Sequence, residues 1–120
     1  MNRSLVIKLT AGADDAEKCA QAFTVAATAL TAGVTVSMWL TGDAVWFAVP
    51  GKAEAFELPH AAPMADLRDA IVSAGTLTVC TQCATRRGIE QEHLIAGTRI
   101  AGAAAFIEEA LADGAQALVY

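Results

Sequence analysis

Aromatic side chains make up only 6% of this 120-residue chain, and no apolar run comes near the length of a membrane span. A run such as Ala44-Val45-Trp46-Phe47-Ala48-Val49 stops at Pro50, far short of the roughly 20 residues a bilayer requires. Basic residues are also few. Eight Lys and Arg stand against thirteen Asp and Glu, for a net charge of −5 and a pI near 4.8. Nucleic acid and anionic lipid both reward basic patches, so no nucleic acid and no membrane is expected as a partner. Intrinsic disorder is excluded by the opposite measure: 55% of residues are hydrophobic, 18% are charged and the mean hydropathy is +0.44, whereas disorder needs low hydrophobicity and high net charge.

The length bounds the organisation to one domain, 1–120. Such a domain buries about two-thirds of the surface its unfolded chain exposes and needs no metal or disulfide staple. Alanine supplies much of the apolar excess, which is more than one small core can hide, and an oligomer interface is where the remainder would go. Three cysteines, an odd number, make no disulfide framework. Met1-Asn2-Arg3-Ser4 leads straight into an apolar segment with no signal-peptide pattern, so a reducing, cytoplasmic setting is expected. There a C-x-x-C pair is more often catalytic or metal-binding than structural.

Leu5-Val6-Ile7-Lys8-Leu9 predicts a buried strand closed by Thr10-Ala11-Gly12. Asp14 and Asp15 stand where a helix takes its N-cap and first-turn negative charge. Ala16, Cys19, Ala20, Phe23, Ala27 and Leu30 then recur at three- and four-residue steps up to Gly33. Val34 to Leu40 predicts a second strand, and the strand–helix–strand unit implies a parallel pair. Gly42-Asp43 predicts a turn into a short helix over 44–49, and 52–63 a loop. Met64 to Ser73 predicts a helix, Thr76 to Cys80 a third strand, and Thr81 to Gly88 a tight turn and short helix. Glu90 to Ala96 predicts a helix, Thr98 to Ala101 a strand, Ala103 to Ala112 a helix and Ala115 to Tyr120 a closing strand. Alternating elements of this kind give an α/β three-layer sandwich with a mostly parallel sheet of about five strands. Ligands of such sheets gather at the carboxyl ends of strands, here after Leu9, Leu40, Val79 and Ile100.

Cys80 lies at such an end, in Val79-Cys80-Thr81-Gln82-Cys83-Ala84-Thr85-Arg86-Arg87-Gly88. Backbone N–H groups at a helix start and a nearby guanidinium each favour thiolate, the nucleophilic form. Position sets Cys80 apart from an inert buried cysteine, whereas Cys19 falls on the apolar stripe of the first helix and reads as core. Cys83 is open to three readings: a resolving thiol for Cys80, a second nucleophile, or a passenger. The Trp-Cys-Gly-Pro-Cys surroundings of a thioredoxin are missing. Structural zinc wants four ligands, and His60 and His93, which alone could join the cysteines, lack paired spacing, so no metal site is expected. His60 falls in the irregular loop and is a candidate to approach the thiol. Arg86 and Arg87 are candidates for holding the thiolate or a bound anion, with solvated charge as the alternative. Gly42 and Asp43 are candidates for the rim of the site, which turn chemistry alone would also explain. Gly88 suits a helix C-cap, and Trp39, Trp46 and Phe47 suit core or subunit contact. No G-x-G-x-x-G, Walker lysine or serine elbow occurs, and no cofactor is expected.

Taken together these residues resemble the DsrE/DsrF-like family, which includes the TusD-type sulfur carriers. The resemblance spans the chain: a strand from about residue 4, the long first helix, the Gly42-Asp43 turn, and above all Cys80 followed by Arg86-Arg87-Gly88-Ile89. It implies a persulfide-bearing role for Cys80, a small α/β fold that assembles as a trimer or hexamer, and sulfur-donor and acceptor proteins as partners. Cys83 has no counterpart in the TusD-type pattern. The reading is a sulfur carrier or sulfurtransferase-like protein relaying sulfane sulfur on Cys80. The alternatives are a dithiol redox protein or sensor using Cys80 and Cys83, and a non-catalytic ligand- or partner-binding module.

Overall fold

A computed structural model describes residues 3–120, so the first two residues of the expected domain lie outside the described residues. Its strands are β1 (Ser4–Leu9), β2 (Thr35–Leu40), β3 (Thr76–Cys80), β4 (Thr98–Ala101) and β5 (Ala115–Val119). They form one sheet in the order β4-β3-β2-β1-β5, and every pairing is parallel. Four helices connect them: α1 (Ala16–Thr31), α2 (Met64–Ala74), α3 (Thr81–Arg86) and α4 (Ala103–Ala110).

Side chains alternate across each strand, so register decides what the two faces carry. Ile7 lies beside Met38, and Leu9 beside Leu40, which in turn lies beside Val79. These residues with Val36 and Leu77 make one apolar face, packed by α1 and α2. Phe23 of α1 is fully buried there and meets Phe47 edge-on at 5.7 Å. Burying a ring of that size contributes about 2–3 kcal/mol.

The opposite face is mixed, with a polar network at its centre. Ser37 and Trp39 on β2, Thr78 on β3 and Arg99 on β4 point away from the core residues that flank them. Glu109 of α4 gathers this layer. Its Oε1 accepts from the Ser37 hydroxyl and from Trp39 Nε1 at 3.0 Å, and its Oε2 accepts from Arg99 at 2.6 Å. Arg99 also donates to Thr78 Oγ1 at 2.9 Å. Burial opposes the Glu109 carboxylate, but donors from Ser37, Arg99 and Trp39 outweigh it and hold the carboxyl below its usual range. None of the α4 residues is buried, and Ile107, Leu111 and Val119 are 52%, 77% and 66% exposed.

The helix ends follow local chemistry. After α1, Gly33 takes φ +81° while Val34 N–H bonds Ala29 O at 3.1 Å and Gly33 N–H bonds Leu30 O at 3.0 Å, the paired closure that a left-handed glycine permits. Gly88 closes α3 in the same way, at φ +67°, with Ile89 N–H on Ala84 O. The start of α1 differs from expectation. A single 3-10 turn, Ala13–Asp15, precedes it, and Asp15 occupies the cap position without a side-chain cap bond. The Cys19 thiol instead donates to the Ala11 and Gly12 carbonyls.

The expected short helix after β2 is a 3-10 segment, Gly42–Ala48. The loop beyond it is tied down by Arg68 of α2, whose side chain is 4% exposed. Arg68 donates to both Glu54 oxygens, at 3.1 and 2.8 Å, and these bonds draw the Glu54 carboxyl down to about 2. The helix expected over 90–96 is not present; only Gln91–His93 makes one 3-10 turn. Ile95 N–H leaves the local ladder to bond Ala48 O at 2.9 Å, while the Gln91 side chain binds Thr98 O. Tertiary partners have taken the groups a helix would have used.

Candidate functional site

β3 is a run of Thr, Leu and Val that stays extended until Cys80, where the chain turns into α3. β3 lies inside the sheet between β2 and β4, so its carboxyl end opens between two neighbouring crossovers, where parallel sheets place ligands. A cavity of about 670 Å³ occupies that position. Cys80, Gln82 and Cys83 line it from the β3–α3 junction, and Trp39 and Phe106 line it from β2 and α4. Lys8, Thr10 and Gly42 contribute from the ends of β1 and β2.

The two thiols are free and half-buried. Burial opposes the Cys80 thiolate. The backbone N–H groups of Cys83 and Gln82, the Cys83 thiol and the charge of Lys8 favour it, and they prevail, bringing Cys80 below the ordinary thiol value of 9.0. Cys83 Sγ accepts the Gly42 N–H at 3.2 Å. Cys19 shows the opposite balance: buried, and close to Asp15 and Asp14, it is pushed up to about 11. It belongs to the core.

Of the residues singled out in the sequence, Cys80, Cys83 and Gly42 come together at the cavity. Asp43, Arg86 and Arg87 do not line it. Arg87 is bound to Asp43, with Nε at 2.9 Å and a terminal nitrogen at 2.8 Å from Oδ1, and its other terminal nitrogen donates to Cys83 O at 3.0 Å. It braces the Gly42-Asp43 turn against α3. Arg86, in the last turn of α3, is exposed. The cation acting on Cys80 is therefore Lys8, where a guanidinium was expected.

His60 is also distant from this chemistry. It lines a separate groove with Glu17 and Tyr120. Another cleft, beside Asp14, Asp43 and Phe56, has Lys52 over the Trp46 ring at 5.7 Å and contains no thiol. Among the described residues, the one group with metal-ligand spacing is Glu90, Glu92 and His93, all exposed and without a cysteine.

Sequence reasoning missed Lys8, Trp39 and Phe106 as site residues. Alternation could have found the first: in Leu5–Leu9 it puts Lys8 opposite Ile7 and Leu9, next to Trp39 across the β1–β2 pair. Phe106 required knowing that α4 lies over this face, where it meets Trp39 edge-on at 5.4 Å.

A five-stranded parallel sheet with a thiol pair at the carboxyl end of an inner strand places this chain among thiol-bearing α/β proteins. More particularly, residues 3–120 match the DsrE/DsrF-like family, and the chain belongs to it. That family is generally associated with sulfur relay. The fold is similar to that of the YchN protein from E. coli, with a TM-score of 0.82 and 16% identity over 98% of this chain and 99% of that one. It is also similar to MTH1491 from Methanobacterium thermoautotrophicum, with a TM-score of 0.69 and 11% identity over 99% and 100% of the two chains. Comparison with curated proteins gives no match. Among the described residues no helix is long and apolar enough to cross a membrane.

Proposed function

We propose that this protein is a sulfur carrier of sulfurtransferase type, with Cys80 as the persulfide-bearing residue. The Cys80 thiolate attacks the terminal sulfur of a donor persulfide, the donor S–S bond breaks, and the donor thiolate leaves with the bonding pair. Cys80-S-SH then gives its terminal sulfur to an acceptor thiolate by the same exchange, with no net oxidation or reduction. The observation that carries this reading is the Cys80 thiol in the cavity at the end of β3, stabilised as thiolate by N–H donors and Lys8.

Donor and acceptor proteins are the partners this role requires, and a reducing cytoplasm is its setting. Gly42 and Asp43 form the rim, with Arg87 bracing it and Arg86 left on the surface for a docking partner. Self-association as a trimer or hexamer would cover α4 and β5, where Ile107, Leu111 and Val119 stand exposed on a layer with little burial of its own.

The contact between the Cys83 thiol and Cys80 favours a second reading. The Cys83 thiolate attacks the inner sulfur of Cys80-S-SH, hydrosulfide leaves, and a Cys80–Cys83 disulfide remains, which makes the pair a dithiol redox switch.

Intact mass after incubating the reduced protein with a sulfane-sulfur donor separates these readings. A gain of one sulfur that is lost in Cys80→Ser and kept in Cys83→Ser is the expected result. A loss of two hydrogens that needs both cysteines would replace the carrier with the redox switch. No mass change in any protein would overturn both and leave a binding module.

A further inference from the structure

We infer that the cavity beside Cys80 receives a low-molecular-weight persulfide bearing a carboxylate, and that Lys8 selects it by charge. The inference rests on the persulfide reading of Cys80 and adds a small-molecule donor to the donor proteins named there.

Volume is the first argument. A persulfide sulfur needs little more room than the thiol itself, yet the space beside Cys80 measures about 670 Å³, within the range of sites that enclose whole small molecules. Its walls are suited to an organic body: Phe106 lines it with Trp39 packed edge-on behind, and the small residues Gly102 and Ala103 line it beside them.

Charge is the second. Lys8 is the one charged side chain lining the cavity among the described residues. No carboxylate lies within ion-pair distance of it among those residues, and its Nζ rests over the Phe106 ring at 5.1 Å. The neighbouring charges are already matched. Arg99, over the other ring of the wall at 5.3 Å, is bound to Glu109, and Asp43 at the rim is bound to Arg87. A cation with no carboxylate partner, shared only with the Cys80 thiolate, leaves a ring-lined cavity open to an anionic group on the ligand.

The reaction needs nothing further. In R-S-SH, with a carboxylate on R, the terminal sulfur is taken by the Cys80 thiolate, the S–S bond breaks, and R-S⁻ departs with the electron pair. Cys80-S-SH remains, and no oxidant or reductant is consumed.

The probes are the persulfide of N-acetylcysteine and that of its methyl ester, which differ by one charge. Loading rates at low donor concentration, followed by intact mass, are expected to favour the acid by about threefold to fivefold in the parent protein, the effect of one partly exposed ion pair. Lys8→Met should abolish the preference and Lys8→Arg should keep it. Equal rates in the parent, or a preference that survives Lys8→Met, would overturn the inference while leaving the carrier role intact. A second arm uses Cys80→Ser, which cannot load, and titrates S-methyl-N-acetylcysteine and its methyl ester against tryptophan fluorescence. If the parent loads from neither donor but the acid binds better than the ester through Lys8, transfer from a small persulfide is overturned and only the preference for a carboxylate-bearing ligand stands. Indifference to charge in this arm would overturn the ligand class independently of any transfer.

Discussion

Gly42 and Cys83 are separated by 41 positions in the chain, and the N–H of the first donates to the sulfur of the second at 3.2 Å. The bond exists because Gly42 sits at φ +56°, a conformation other residues adopt only under strain. A Cβ there would also meet Thr10 O at 3.0 Å. Gly42→Ala should lower stability by about 1–3 kcal/mol and loosen the rim of the cavity. Denaturant unfolding reads the first effect, and an unchanged midpoint would show that the turn accepts a side chain.

The thiols differ in acidity, and alkylation can read the difference. Cys80 is held below 9.0 and Cys19 is pushed up to about 11, so iodoacetamide should modify Cys80 well before Cys19, with a half-maximal rate below pH 9.0. Cys83→Ala removes one of the groups favouring the Cys80 anion and should move that midpoint to higher pH. A midpoint that stays in place would mean that the backbone donors and Lys8 suffice.

Alkaline stability should report on Cys19. Its folded value, about 11, lies above the ordinary 9.0, so the folded chain keeps its proton where the unfolded chain loses it. Stability is therefore full below about pH 9 and falls as pH rises toward 11, by on the order of 2 kcal/mol. Cys19→Ala should flatten that limb of the pH profile in denaturant titrations, at the cost of a constant loss from the vacated space. A limb that persists in the variant would assign it to other groups.

Glu109 is the tie between α4 and the sheet. Glu109→Gln keeps the shape but removes the charge that Ser37, Trp39 and Arg99 all address, and it should destabilise by about 1–3 kcal/mol. Its carboxyl is held below the usual range, so the parent protein gains stability from it above the unfolded value and loses it as pH falls through the folded value. The variant should lack that acid-side dependence, and urea midpoints across pH 3–6 would show whether it does.

The strands were legible because buried parallel strands are written as unbroken branched runs, as in Leu5-Val6-Ile7 and Leu77-Thr78-Val79. α1 was legible from the spacing of Cys19, Ala20, Phe23 and Leu30, and the place of Cys80 from the rule that strand ends carry the chemistry. What escaped were relationships made by tertiary contact. The 90–96 segment has helical composition, but Ala48 O claims the Ile95 N–H. Arg87 reads as a free cation beside a thiol until Asp43 is seen against it. Glu109 reads as a surface charge on a helix, and only the fold brings Trp39, seventy positions away, to its carboxylate.

The interior position of β3 also has a dynamic consequence. Cys80 pairs across to Ala101 on one side, while the Leu40–Val79 pairing secures β3 on the other, so its backbone can exchange amide hydrogens only when the sheet itself opens. Cys83 belongs to a helix of six residues, held by the Gly42 amide, the Arg87 brace and the closure at Gly88. The low-energy opening of such an element leaves the sheet untouched. The two sulfurs thus stand on ground of different rigidity, and an opening of α3 would part them while leaving Cys80 in place.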